Sequence, residues 1–204
     1  MVGPLGPDFF ARPARAVAPE LVGCVLAGRG VAGVIVEVER YEQWDAASHS
    51  FRGPTPRSRV MFGPAGCLYV YRSYGLHWCA NIVCDDDGVG AAVLLRAIEP
   101  TLGLAVMRER RGGISDRDLC RGPGRLAAAF DIAGPDNGTY LREWTDAAGI
   151  HVLPRPGEGI VVVQSSRVGI SRDVGRSWRY TLADSAWVSR PPTTPHPSPE
   201  RIAA

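Results

Sequence analysis

The chain reads as an α+β protein, a single domain built on a mostly antiparallel β-sheet with a few surrounding helices. Three observations predict this. Strand-like runs outnumber helical ones along the chain. Consecutive strand candidates are joined by short turns, which suit antiparallel neighbours, whereas parallel neighbours need a long crossover. The length of 204 residues and an ordinary balance of 45% apolar and 22% charged residues fit one domain.

Each element has its own warrant. Residues 1–8 are rich in Gly and Pro and are expected to be loose. Residues 15–27 hold a short helix, Val17 to Leu21, and a possible strand. Gly33-Val-Ile-Val-Glu-Val-Glu-Arg-Tyr41 is a clear strand, rich in β-branched residues. Residues 67–74 and 77–84 form two arms of a hairpin around Tyr74-Gly75-Leu76. Asp85-Asp86-Asp87-Gly88 is a turn, and residues 90–98 are a further strand. Helices are expected at 101–111 and 122–131. Short strands are expected at 150–153, 159–165 and 178–183. The folded domain is placed at 9–189. Residues 190–204 hold five Pro among Thr, Ser and His and are expected to be a disordered tail.

Composition excludes several chemistries. The chain has no Lys, so all 23 basic residues are Arg. No side-chain Lys Schiff base can form, no P-loop Lys exists, and pyridoxal phosphate has no Lys to hold it. Guanidinium groups still suit phosphate, because the fork is planar, bidentate and always charged. A net charge of +2 is too small for a uniformly basic nucleic-acid binder, so any such role rests on local patches. One patch runs from Arg108 to Arg125 with six Arg against three acids, and another joins Arg52, Arg57 and Arg59. Five Cys with no C-x-x-C and no secretory leader predict reduced thiols in a cytosolic protein. No apolar run reaches the ~18 residues of a membrane span.

Three segments are able to carry chemistry. In the strand at 33–41, period-two alternation puts Ile35, Glu37, Glu39 and Tyr41 on one face and Val34, Val36 and Val38 on the other. Carboxylates on a buried face need partners or a wet pocket. The same pattern fits a half-exposed strand with solvated glutamates. The second segment, Leu68 to Gly75, carries three Tyr, with Tyr69 and Tyr71 on one face and Tyr74 at the hairpin tip. The third, His77-Trp78-Cys79-Ala80-Asn81, returns along the hairpin. No metal is expected: the zinc-deaminase pairing and the EF-hand spacing are both missing. No P-loop, no G-x-G-x-x-G followed by a suitable acid and no G-x-S-x-G elbow occurs, and no cofactor is expected.

In order along the chain, these segments resemble the alkyladenine (3-methyladenine) DNA glycosylase family. Phe9-Phe10, then Val17-Ala18 through Leu21 and Gly23, are similar to its opening helix. Val36 to Tyr41 followed by Ala46-Ala47-Ser48-His49-Ser50 resembles its active-site signature. Thr55 to Phe62 resembles the next segment, with Ser58 where the family commonly has Asn. Leu68 to Gly75 and Asn81-Ile82 match its Tyr-rich hairpin. Leu94 to Pro100, Leu119 to Pro123, Arg167 to Ile170 and Trp178-Arg179-Tyr180 continue the match. The resemblance implies a curved, mostly antiparallel sheet. It also implies a hydrolase of base excision repair that takes alkylated or deaminated purines out of damaged double-stranded DNA and cuts the N-glycosidic bond.

Carried over by position, Glu39 is the general base for the attacking water and Arg96 helps to place that water. Tyr41, His49 and Tyr71 are the aromatic walls around the flipped base. Asn81 crowds the exocyclic amine of normal guanine, and Tyr74 is the wedge that fills the gap in the duplex. Without Lys, the enzyme is expected to be monofunctional, leaving an abasic site and an uncut strand. A cytoplasmic, bacterial-type monomer working at the nucleoid and away from membranes is the simplest expectation. A non-catalytic nucleic-acid-binding module on the same fold is the alternative. The lesion range stays open among 3-methyladenine, 7-methylguanine, hypoxanthine and ethenoadenine.

Overall fold

In the computed structural model, which describes residues 3–141, 149–157 and 159–192, one long strand organises the rest. This is β2, Val31–Tyr41. Along one edge it pairs with β5, Ala92–Leu102. Its other edge is divided. The first half takes β1, Val25–Gly28, and the second half takes β8, Arg179–Leu182. The hairpin of β3, Leu68–Ser73, and β4, His77–Val83, extends the sheet beyond β5. At the far side β6, Ile150–Leu153, pairs with β1, while β7, Val162–Ser165, pairs with β8. The eight strands form one curled sheet, antiparallel at every pairing, and the class is the α+β one the sequence predicts.

The helices cover one face. The second helix, α2 at Ala14–Leu21, follows the short α1 at Pro7–Phe10. Its Ala14, Val17, Ala18 and Leu21 recur at helical spacing and are all buried. Each fully buried Val or Leu contributes about 1.5–3 kcal/mol of transfer free energy. After α3 at Leu104–Arg110 comes α4, Pro123–Ala129, which starts on a Pro at its first position. It buries Leu126, Ala127 and Ala129 against β4 and β5. Leu5 donates its N–H to the Val152 carbonyl (2.8 Å) and packs on the core. The Pro-rich tail lies outside the described residues from 193 onward.

Two details depart from the sequence pattern. Thr101 and Leu102 finish β5 instead of opening a helix. The break falls at Gly103, whose φ of 74° is left-handed and where a Cβ would collide with the Gly30 carbonyl. Strict alternation also places Ile35 with the glutamates. The register against β5 slips between Ile35 and Glu37 and again between Glu37 and Val38, so Ile35 turns into the main apolar core with Val38. The slip falls where β2 exchanges β1 for β8. Glu37 and Glu39 follow it on the face away from the helices.

Candidate active site

Three rows of side chains cross that second face. Tyr41 stands opposite Ala92, which pairs in turn with Val83. Glu39 stands opposite Leu94, then Asn81, then Tyr69. Tyr71 faces Cys79 across the hairpin. Period-two geometry in β2, β3, β4 and β5 thus brings residues far apart in sequence onto one floor. Above it opens a cleft of about 810 Å³. Tyr41, His49, Tyr71, Tyr74, Asn81 and Arg96 all line it. Glu39 lies sealed beneath, at 0% exposure.

The Glu39 carboxylate accepts three kinds of donor. The Tyr41 hydroxyl reaches it at 2.9 Å and the Val168 N–H at 2.7 Å. The Arg96 guanidinium lies farther off, at 3.4 Å. Burial pushes the Glu39 proton affinity up, and Arg96, Val168 and Tyr41 offset only part of that rise. Its neighbour Glu37 goes the other way. Burial raises it too, but Arg96 and Arg179 together hold it below the usual carboxylate range. Arg96 Nε sits 2.9 Å and Arg179 Nε 2.7 Å from the same Glu37 oxygen. Ser189 adds its hydroxyl at 2.8 Å and its backbone N–H. Tyr41 keeps its proton, because burial and the Glu39 charge both raise it.

The walls are aromatic. The His49 and Tyr71 rings meet edge to face at 4.6 Å, and Tyr69 stacks on Tyr71 at 5.5 Å. His49 Nδ1 hydrogen-bonds the Tyr69 hydroxyl at 2.9 Å. Desolvation of its inner edge, and then Arg57 nearby, favour the neutral imidazole. The loop that carries His49 is fixed on both sides. Ser48 and Ser50 share a 2.7 Å hydrogen bond, and Ser50 donates to the Gly90 carbonyl. Asp45 forms a fully buried, two-pronged ion pair with Arg167. Arg167 also stacks on Tyr41 at 4.6 Å and directly precedes Val168. Asn81 donates its amide to the Tyr69 carbonyl at 3.0 Å, which sets its orientation at the wall. Ser58 is buried and hydrogen-bonded to both the backbone N–H and the hydroxyl of Thr55, closing the turn that presents Arg57.

Tyr74 stands at the rim. Leu76 N–H closes the hairpin onto the Ser73 carbonyl, and Tyr74 and Gly75 between them both have positive φ. Tyr74 is 90% exposed and Leu76 75%. The basic stretch at 108–125 is largely engaged within the chain. Arg108 pairs with Asp116 and Arg125 with Asp118. Arg110, Arg111 and Arg121 hold backbone carbonyls. Among the described residues no group of three His, Cys, Asp or Glu side chains could hold a metal ion. No helix there is long and apolar enough to cross a membrane.

The structure brings Tyr41, His49, Tyr71, Asn81 and Arg96 together around Glu39, with Tyr74 at the rim. The sequence assigns no role to Glu37, Asp45, Arg167, Val168, Arg179 or Ser189, which hold this arrangement. The parity of Glu37 with Glu39 was the available signal; the buried partners are brought in by β8 and by loops, where no periodicity points to them.

The site is thus an aromatic-walled cleft above one sealed carboxylate. The comparisons narrow this. The model of the methylpurine-DNA glycosylase family matches residues 8–186, and the chain belongs to that family. A protein of Rhodopseudomonas palustris is 51% identical over 185 residues, covering 90% of this chain and 86% of its own. One of Nitrobacter winogradskyi is 50% identical over 188 residues, covering 92% and 88%. One of Agrobacterium fabrum is 48% identical over 183 residues, covering 90% and 91%. Each carries the name "Putative 3-methyladenine DNA glycosylase".

Proposed function

We propose that the chain is a monofunctional DNA glycosylase that flips an alkylated or deaminated purine out of duplex DNA and hydrolyses its N-glycosidic bond. The observation that carries this reading is Glu39, a buried carboxylate of raised proton affinity at the base of an aromatic cleft. A general base works best when its pKa approaches the working pH. Water attacks the sugar C1′ and gives its proton to Glu39. The electron pair of the C1′–N bond leaves with the purine. Ionised Glu39 also steadies the positive charge that develops on the sugar. Arg96 and the Val168 N–H hold the carboxylate in place.

Tyr41, His49 and Tyr71 hold the flipped base by stacking. Asn81 crowds the amine that distinguishes guanine. Tyr74 enters the vacated stack, as apolar wedges do in bent or opened duplexes. Arg121, Arg125 and Arg190 line a second cleft of about 420 Å³, which shares Arg96 and Val168 with the first and suits the phosphates beside the flipped nucleotide. With no Lys in the chain, the product is an intact abasic site.

The test is free-base release from duplexes carrying 3-methyladenine, 7-methylguanine, hypoxanthine or ethenoadenine, with multiple turnovers and borohydride present. Release from at least one lesion without covalent trapping is expected, with binding that weakens steeply as salt rises. Binding without release from any lesion would identify the chain as a non-catalytic module. Equal release from free nucleosides would remove DNA from the reading.

A further inference from the structure

The buried acid that the reaction does not consume is Glu37. It lies two residues before Glu39 on the same strand, at 0% exposure, and shares Arg96 with it. The sharing is unequal. Arg96 Nε makes its short contact, 2.9 Å, with Glu37, and reaches Glu39 only at 3.4 Å through Nε and Nη1. Glu37 is itself held from three sides. Arg179 comes from β8, and the Ser189 hydroxyl and N–H come from the segment after β8. That segment is pinned twice more, since the Arg190 carbonyl accepts from Arg179 and the Val188 carbonyl from Arg121. Four fixed donors thus converge on this one carboxylate.

We propose that Glu37 is a positioning residue for the base-release reaction: it anchors Arg96 so that the guanidinium touches Glu39 without closing on it. The inference rests on the reading of Glu39 as the general base. A two-pronged, short-range pairing of Arg96 with Glu39 would stabilise the carboxylate strongly and make it a poor proton acceptor. Glu37 prevents this in two ways. It fixes Arg96 sterically, and its permanent negative charge offsets the cation that Glu39 would otherwise face alone. The four groups Glu37, Glu39, Arg96 and Arg179 together carry no net charge, and removal of Glu37 leaves an excess cation beside the base.

The groups around Glu39 all bear on the outcome. They are Tyr41 and Glu37 from β2, Arg96 from β5 with Cys79 of β4 beside it, Arg179 from β8 and Arg167 from the loop before Val168. Cys79 keeps its proton because burial raises it. Arg96 and Arg167 stay cationic, because their partner carboxylates outweigh burial and raise them. His49 in the cleft wall is held down to about 4 by burial and by Arg57, below Glu39, whose proton affinity is raised above the ordinary 4.5; on the way down in pH Glu39 is therefore the first of these groups to protonate, and the upper part of the acid limb reports it.

The experiment is single-turnover base release by Glu37→Gln from about pH 4 to pH 9, beside lesion binding. The acid limb is expected to move to lower pH, because Glu39 is left with an uncompensated cation. The plateau rate is expected to fall on the order of tenfold, because a less basic carboxylate is a weaker general base. Lesion affinity stays within about twofold, since Glu37 does not line the cleft. Arg179→Gln has the opposite sign: it removes a cation and moves the acid limb to higher pH. An unmoved limb in Glu37→Gln, whatever the loss of rate, reduces Glu37 to a structural role and overturns the inference. If the variants do not fold, carbon-13 titration of the glutamate carboxyls in the unaltered protein decides. Glu37 is expected to stay ionised to lower pH than Glu39, and the reverse order overturns the inference. Full base release by Glu39→Gln would instead sink the reading of Glu39 as base, so the two failures are distinguishable.

Discussion

The floor of the cleft and the tip of the β3–β4 hairpin violate folding preferences in opposite directions. The floor buries charge. Glu37, Glu39, Arg96 and Arg179 are almost entirely removed from water, each tied to partners at fixed distances. The tip exposes what usually hides. Tyr74 is 90% in solvent, and its φ of 50° lies in the left-handed region that a bulky side chain disfavours. The floor is locked by its neighbours and the tip is almost free of them. On the function proposed above, immobile charges below and an exposed aromatic above serve two separate tasks: bond hydrolysis requires preorganised groups, and opening a duplex requires a surface that gains contacts only on the substrate.

The sharpest test of this division is Glu39→Gln. Base release is expected to fall by roughly 10²–10⁴, the usual contribution of a general base, while lesion binding persists. Stability should move the other way. The folded-state pKa of Glu39 is raised, so its stabilising contribution is present below the ordinary value of 4.5 and lost as pH rises through the folded value. Ionisation of Glu39 therefore costs the fold stability. The variant should melt at least as high as the parent at pH 7, with any advantage vanishing in acid. Glu37 has the opposite sign. Its pKa is depressed, so it stabilises above the ordinary value of 4.5 and loses that contribution as pH falls through its folded value. A lower melting temperature for Glu39→Gln at pH 7 would show that its hydrogen bonds outweigh its desolvation.

Next in size is Asp45→Ala. It strands Arg167, whose side chain is fully buried, and loosens both the His49 loop and the Val168 N–H. Breaking one partner of a buried ion pair costs about 3–5 kcal/mol, and chemical denaturation should show a loss of that order. A loss below about 1 kcal/mol, the range of a surface pair, would mean that the floor does not depend on this clamp. Smaller again is Tyr74→Ser. Lesion affinity should weaken roughly tenfold, which is about 1.4 kcal/mol, with the rate from the saturated complex less affected. Unchanged affinity removes the wedge.

The two regions also differ in how far the sequence revealed them. The hairpin was legible because its signals are local: a Tyr-rich strand, a turn at Tyr74-Gly75-Leu76 and a returning arm. The Glu39 strand was legible by alternation, and the residues gathered round it by resemblance to a family. The bulge at Ile35–Glu37 was hidden, because a register slip depends on which strands pair with β2 and not on the residues of β2. Gly103 marked the true start of α3, yet a glycine alone does not distinguish a strand exit from a helix interior. The supports of the floor were least visible. Arg179 pairs with Glu37 across 142 positions and Arg167 with Asp45 across 122, and no local pattern encodes such distances.

The smallest expected effect tests the tip from the side of stability. Tyr74 occupies a left-handed position while making few contacts in the free protein, so its conformation is unfavourable and uncompensated there. Asn adopts the same backbone region more readily and places no large apolar surface in water. Tyr74→Asn should therefore stabilise the free protein by about 0.5–1 kcal/mol, in the range of other substitutions that relieve backbone strain. It should also weaken lesion binding much as Tyr74→Ser does. The combination matters more than either number. A residue kept for packing would lose stability when replaced, and a residue kept for the duplex would lose only affinity. Thermal denaturation of the free protein beside lesion titration separates the two, and a destabilised Tyr74→Asn would place the side chain in the fold's own packing.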